Sequence, residues 1–113
     1  MKNTYIRFLN VLDSLDRINP GRELDQIEIS LLEYIFLSTK KEGEILVGEL
    51  LGLKKLGSQA TLHGRVKNLI SMGYIKLVND KEDGRKKFVV PTKMGVKYIE
   101  FMSDCLENSI KPQ

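Results

Sequence analysis

Apolar residues recur at helical spacing near the start of the chain, where Tyr5, Phe8, Leu9, Leu12 and Leu15 fall on one side of residues 3–18. Asp13, Asp16 and Arg17 fall largely on the other, and Pro20-Gly21 stops the pattern. A second helix is predicted from paired start signals: Asp25 and Glu28 form a D-x-x-E capping box, and Leu24 with Ile29 can staple it. Ile27, Leu31, Leu32, Ile35 and Phe36 give this helix a broad buried face. Residues 40–43 read as a loop. Ile45, Leu46, Glu49, Leu50 and Leu53 then suggest a third, shorter helix, interrupted by Gly48 and Gly52, each of which costs about 1 kcal/mol relative to Ala.

The fourth helix is the best defined. Ser58 is a suitable N-cap whose hydroxyl would accept from the amide of residue 60 or 61, Leu62, Val66, Leu69 and Ile70 follow on one face, and Gly73 sits where a C-terminal glycine belongs. Beyond Gly73 the period switches to two. Residues 74–78 and 87–90 are short β-rich runs around a polar tip containing Asp83-Gly84, which is a hairpin signal. Pro91 ends the second strand, and Thr92 can cap a last helix carrying Val96, Ile99, Met102, Leu106 and Ile110, with Tyr98, Phe101 and Cys105 widening its stripe. No internal repeat or low-complexity tract appears, so residues 1–113 are expected to form one α+β, mainly helical domain: an N-terminal helix over 1–20, a winged helix-turn-helix core over 24–91 and a C-terminal helix over 92–110.

Charge changes the picture from fold to partner. Residues 54–97 hold eleven Lys/Arg against three Asp/Glu, a local net of +8, whereas the rest of the chain holds seven against twelve, a net of −5. A field that lopsided draws a polyanion to one side of the molecule. With the apolar positions of the fourth helix turned inward, its opposite face presents Ala60, Thr61, Gly64, Lys67, Asn68 and Ser71, flanked by His63 and Arg65, with Ser58 and Gln59 at its start. Thr61 and Asn68 can donate and accept at base edges, Arg65 and Lys67 suit guanine or phosphate, and Ala60 can touch a thymine methyl. Gly64 has two readings: a close approach of the helix backbone to a groove or phosphate, or close packing on a neighbouring helix or simple tolerance. At the hairpin tip Lys81, Arg85, Lys86 and Lys87 cluster, and a guanidinium there suits a narrow minor groove. Asp80 and Asp83 are expected to accept turn hydrogen bonds or to orient Arg85 through a bidentate pair. The plainer reading of the tip is a solvated charge run that blunts an edge strand.

The stretch ELLGLKKLGSQATLHGRVKNLISMGYIKLVNDKEDGRKKFVVPTKMG (49–95) resembles the winged helix-turn-helix core of MarR-type transcription regulators, and the chain's length resembles that of their small SarA-like relatives. Asp80, Asp83 and Arg85 match the family's D-x-x-D-x-R wing tip, and residues 90–92 with Gly95 match its exit. Gly64 departs from the pattern, standing where the family often has a basic or polar side chain. The resemblance implies that the helix over 58–72 lies in the major groove, that Arg85 enters the adjacent minor groove, and that the terminal helices build a homodimer. Patterning also points to a second copy, because the first and last helices are apolar over arcs too wide for a small core to cover; the alternative is that these two helices pair with each other in a monomer.

Other functions are expected to be excluded. One His and one Cys leave no third member for nucleophilic catalysis, and no phosphate loop or metal-spaced His/Cys set is present, so no enzyme, cofactor or metal is expected. His63 reads as a DNA contact or an exposed histidine, and Cys105 as a structural cysteine or, as in some MarR-like proteins, a redox sensor. A lone cysteine, no secretory signal and no membrane-length apolar run fit a soluble, cytoplasmic protein. The alternative function is a winged-helix protein-interaction module, or a phage or replication-type factor that does not regulate transcription.

Overall fold

The computed structural model describes residues 1–15, 19–42 and 44–111, and among these the chain forms five helices and three strands. Backbone contacts group it into two compact units, Leu24–Gly95 and the terminal pieces Met1–Glu23 with Val96–Gln113.

In the Leu24–Gly95 unit, helix α2 (Gln26–Glu42) begins on the capping box read from the sequence. Asp25 Oδ1 accepts from the Glu28 amide at 2.8 Å, and Glu28 Oε1 accepts from the Asp25 amide at 2.8 Å. Two orphan donors of the first turn are satisfied reciprocally. Leu31, Leu32 and Ile35 are fully buried, while Ile27 and Phe36 are half-buried at the edges of the same face. The helix continues through residues 40–42, which the sequence reads as loop; Gly43 lies outside the described residues.

The third predicted helix resolves into two elements. Ile45–Leu46 form a short strand, β1, and only Val47–Leu51 are helical, as α3. β1 pairs antiparallel with β3 (Lys87–Pro91), placing Ile45 opposite Val89 and Leu46 opposite Phe88. Two residues are too few to show an alternation of period two, which is why helical spacing wins in the sequence. Glu49 Oε1 accepts from the Leu46 amide at 3.3 Å, half of a capping box whose other half leucine cannot supply. α3 ends before Leu53, at Gly52.

Strand β2 (Ile75–Asn79) pairs with β3 in register from Ile75 opposite Pro91 to Asn79 opposite Lys87, giving the sheet order β1-β3-β2. The most deeply buried core of this unit is Leu31, Leu32, Ile35, Ile45, Leu50, Leu62, Leu69, Tyr74, Ile75 and Val89, drawn from every element between α2 and β3, with Leu24 and Val66 buried at its margin.

The terminal unit is built from α1 (Thr4–Ser14) and most of α5 (Lys93–Ile110). The first helix ends earlier than its pattern suggests, with Leu15 as C-cap; residues 16–18, where Asp16 and Arg17 were assigned to its polar side, lie outside the described residues. Ser14 donates its hydroxyl back to the Val11 carbonyl at 2.9 Å, a local bond that competes with the helix ladder. No α1 residue is buried: Phe8, Leu12 and Leu15 are half-covered, and Tyr5, Ile6 and Leu9 are exposed.

On α5 the buried positions are Gly95, Tyr98, Cys105 and Ser109; of the apolar stripe read from the sequence, Val96, Leu106 and Ile110 are exposed, while Ile99 and Met102 are half-buried. Tyr98 is fixed by a glycine, since a Cβ on Gly21 would overlap its ring. Ser109 can be buried because its hydroxyl donates to the Cys105 carbonyl at 2.7 Å. Cys105 is buried, and that burial, followed by the Asp104 carboxylate, raises its thiol pKa.

Candidate nucleic-acid interface

Helix α4 (Gln59–Ser71) starts and stops as its residues dictate. The Ser58 hydroxyl accepts from the Thr61 amide at 3.2 Å and lies 3.0 Å from the Thr61 hydroxyl. At the other end Gly73 takes a φ of +87°, and the Tyr74 amide reaches back to the Leu69 carbonyl at 2.9 Å. That is a Schellman closure, and only glycine adopts this φ without strain. It turns the chain directly into the wing.

Thr92 locks the turn in place. Its amide donates to the Tyr74 carbonyl at 3.1 Å, its hydroxyl donates to the Gly73 carbonyl, and its oxygen accepts from the Gly95 amide at 3.2 Å as the cap of α5. Gly95 is required beside it, because a Cβ there would stand 2.5 Å from the Tyr74 carbonyl oxygen. One threonine therefore joins the end of α4, the base of the wing and the start of α5. The sequence showed only its capping role.

The wing tip is organised by its own carboxylates, as expected. Asp80 Oδ1 accepts from the Glu82 amide at 3.2 Å. Asp83 Oδ1 accepts from both the Arg85 amide at 3.0 Å and Arg85 Nε at 3.4 Å. The pair is therefore not bidentate: one oxygen serves both donors. The Arg85 side chain is 94% exposed, and Lys81, Lys86 and Lys87 around it are exposed as well.

On α4 the predicted contact residues divide into two groups. Gln59, Ala60, His63 and Lys67 are exposed. Gly64 lies between them, and a Cβ built on it meets no atom within 4 Å, which removes the helix-packing explanation for that glycine. The other group makes contacts within the protein, although Asn68 is itself exposed. Asn68 donates Nδ2 to Glu28 Oε2 at 3.0 Å, and Thr61 is engaged with Ser58. Arg65 Nε lies 2.6 Å from Asp25 Oδ2, a charge contact in which the N–H is not aligned as a hydrogen bond. Thr61, Arg65 and Asn68, expected to reach bases or phosphates, thus each make a contact within the protein as well. Helical spacing predicts the exposed side, but not that a neighbouring helix reaches across its flank.

Sequence reasoning also missed a cleft of about 530 Å³ where α3 meets the start of α4, lined by Gly48, Gly52, Lys54, Gly57 and Gln59. The signal was present in three glycines within ten residues beside a lysine pair.

No family model and no curated protein matches the chain. Its fold is nonetheless shared with solved structures. Transcriptional regulator Tm0710 from Thermotoga maritima is 25% identical, with 96% of this chain and 77% of that one covered at a TM-score of 0.65. The S. aureus MepR-DNA complex is similar at 16% identity, 92% and 83% coverage and a TM-score of 0.66. A probable transcriptional regulator from Pseudomonas aeruginosa matches at 18% identity, 97% and 79% coverage and a TM-score of 0.55. With helices α3 and α4 leading into a three-stranded wing, the chain has the winged helix-turn-helix fold of MarR-type transcriptional regulators.

Proposed function

We propose that this protein is a sequence-specific, double-stranded DNA-binding transcription regulator that acts as a homodimer, with α4 in the major groove and the wing in the minor groove. The observation that carries the reading is Arg85, held by Asp83 at the tip of the wing with its side chain 94% exposed. A guanidinium so placed suits the negative potential of a narrow minor groove. Gln59, Ala60, His63, Gly64 and Lys67 form the major-groove surface, Ser58 starts the helix, and Lys81, Lys86 and Lys87 neutralise flanking phosphates. The similarity to a regulator solved on DNA supports the same reading. The function is binding and not catalysis.

The homodimer is supported by the terminal unit. Tyr5, Ile6 and Leu9 on α1 and Leu106 and Ile110 on α5 are large apolar side chains left 41–69% exposed. Apolar surface of this kind is normally covered, and a second copy supplies a matching surface. Sedimentation should give a dimer that Leu9→Glu with Leu106→Glu converts to monomer.

Duplex binding across a salt series tests the central claim. The protein should bind duplex DNA with log affinity falling linearly against log salt. Absence of duplex affinity at low salt refutes the regulator reading and favours a winged-helix module that docks on protein. In a dimer, full affinity for an isolated half-site would count against binding to paired half-sites.

A further inference from the structure

The start of α2 carries two carboxylates, Asp25 just before the helix and Glu28 in its first turn, whose work exceeds the start of a helix. A capping box needs one oxygen from each residue, and here those are Asp25 Oδ1 and Glu28 Oε1. The second oxygens both face α4: Glu28 Oε2 accepts from Asn68 Nδ2 at 3.0 Å, and Asp25 Oδ2 lies 2.6 Å from Arg65 Nε. Arg65 and Asn68 are three residues apart and so stack along one flank of their helix. The capping box thus grips α4 at two successive points on the edge of its exposed face.

We propose that Asp25 and Glu28 act as a specificity filter: they withhold Arg65 and Asn68 from the nucleic acid, so that α4 meets DNA through Gly64, Lys67 and their exposed neighbours. This rests on the duplex-DNA reading above. Non-specific affinity comes from cations that neutralise phosphates and release counterions, so a guanidinium already paired with a carboxylate adds little to it. The two links differ in strength. Arg65 and Asp25 are 36% and 44% exposed, so solvent screens their attraction and the arginine is biased inward, not locked. Glu28 is only 4% exposed, so although Asn68 is itself exposed, moving its amide to a base edge would strip that carboxylate of a donor. Arg65 is therefore the adjustable half of the filter, and Asn68 is a positioning residue that fixes how α4 lies against α2.

The test uses the full chain on a duplex of random sequence across a salt series. Asp25→Asn removes the charge while keeping a competent N-cap, so the fold survives. It should raise non-specific affinity about two- to fivefold at low salt, the scale of an exposed ion pair, and steepen the log-log salt slope by about one as Arg65 becomes available to phosphate. Arg65→Ala should leave the slope at its wild-type value, and adding Asp25→Asn to Arg65→Ala should change nothing further. Two results overturn the filter: a slope shallower by about one in Arg65→Ala, which makes Arg65 an existing phosphate contact, or an equal gain from Asp25→Asn in both backgrounds, which makes Asp25 a simple repulsive charge. For Asn68, substitution by Ala should lower thermal stability and leave the ranking of binding sites unchanged, and Glu28→Gln should do the same with a smaller loss. A preference altered at a single base pair by Asn68→Ala would make it a reading residue and end the proposal. Wild-type protein that fails to bind any duplex refutes the DNA reading itself, whereas each binding result above arises only when that reading holds.

Discussion

Arg85 at the wing tip has a side chain 94% exposed, whereas that of Arg65 on α4 is 36% exposed and lies against a carboxylate from another helix. Both are arginines in the basic half of the chain and both have an aspartate neighbour. The difference lies in where the aspartate sits. Asp83 is two residues from Arg85 in a turn, so the pair orients the guanidinium without taking it out of solvent. Asp25 lies on a separate, packed element, so its pairing pulls Arg65 toward the protein. A cation's availability to a partner is therefore set by whether its counter-charge is local or tertiary, and counting basic residues cannot distinguish the two.

The largest effect should come from removing the frame that holds the two regions together. Leu69 is fully buried on α4, and Leu69→Ala should cost about 2–5 kcal/mol in chemical denaturation, with DNA binding lost as the helix loosens. No wing-tip substitution should approach that. Arg85→Ala should leave the denaturation midpoint unchanged, weaken duplex affinity severalfold, and make the salt slope shallower by about 0.9, the value for one phosphate contact. If its midpoint falls as far as that of Leu69→Ala, the wing is not the free region described here.

Gly64→Ala sharpens the contrast through opposite signs. A Cβ at this position meets nothing within 4 Å, so alanine should stabilise α4 by about 1 kcal/mol in denaturant titration. If the proposed docking of α4 in the major groove holds, the same methyl group should weaken specific duplex binding by standing off the helix backbone. Binding equal to or tighter than wild type would show that the glycine is merely tolerated. The smallest effect is expected from Asp83→Ala, which frees Arg85 from its local tether: affinity should drop less than twofold, on the order of the weakest exposed pairs, with the salt slope unchanged.

Elements defined by long or punctuated patterns were legible in the sequence. The start of α2, the whole of α4 with its serine cap and glycine stop, and the hairpin all appear where residues 25–28, 58–73 and 74–91 place them. β1 was not legible, since a two-residue strand exists only because β3 is available to pair with it. Nor was the orientation of α5: its apolar arc is wide enough to offer several faces, and Gly21 against Tyr98 selected one that leaves Leu106 and Ile110 outside. In the candidate interface, the exposed wing cations and the open centre of α4 could be read, while the ties of Thr61, Arg65 and Asn68 could not.

What the sequence determined by itself is whatever depends on short-range chemistry: helix limits fixed by caps, the period change at Gly73, and a local excess of positive charge. What the tertiary structure decided is which polar groups remain available to a partner. Glu28 and Asn68 are forty residues apart, and only folding brings a buried carboxylate within 3.0 Å of that amide. Local rules act over one turn of helix, whereas the competition for a hydrogen-bond donor or a cation is settled by every element that packs within reach of it.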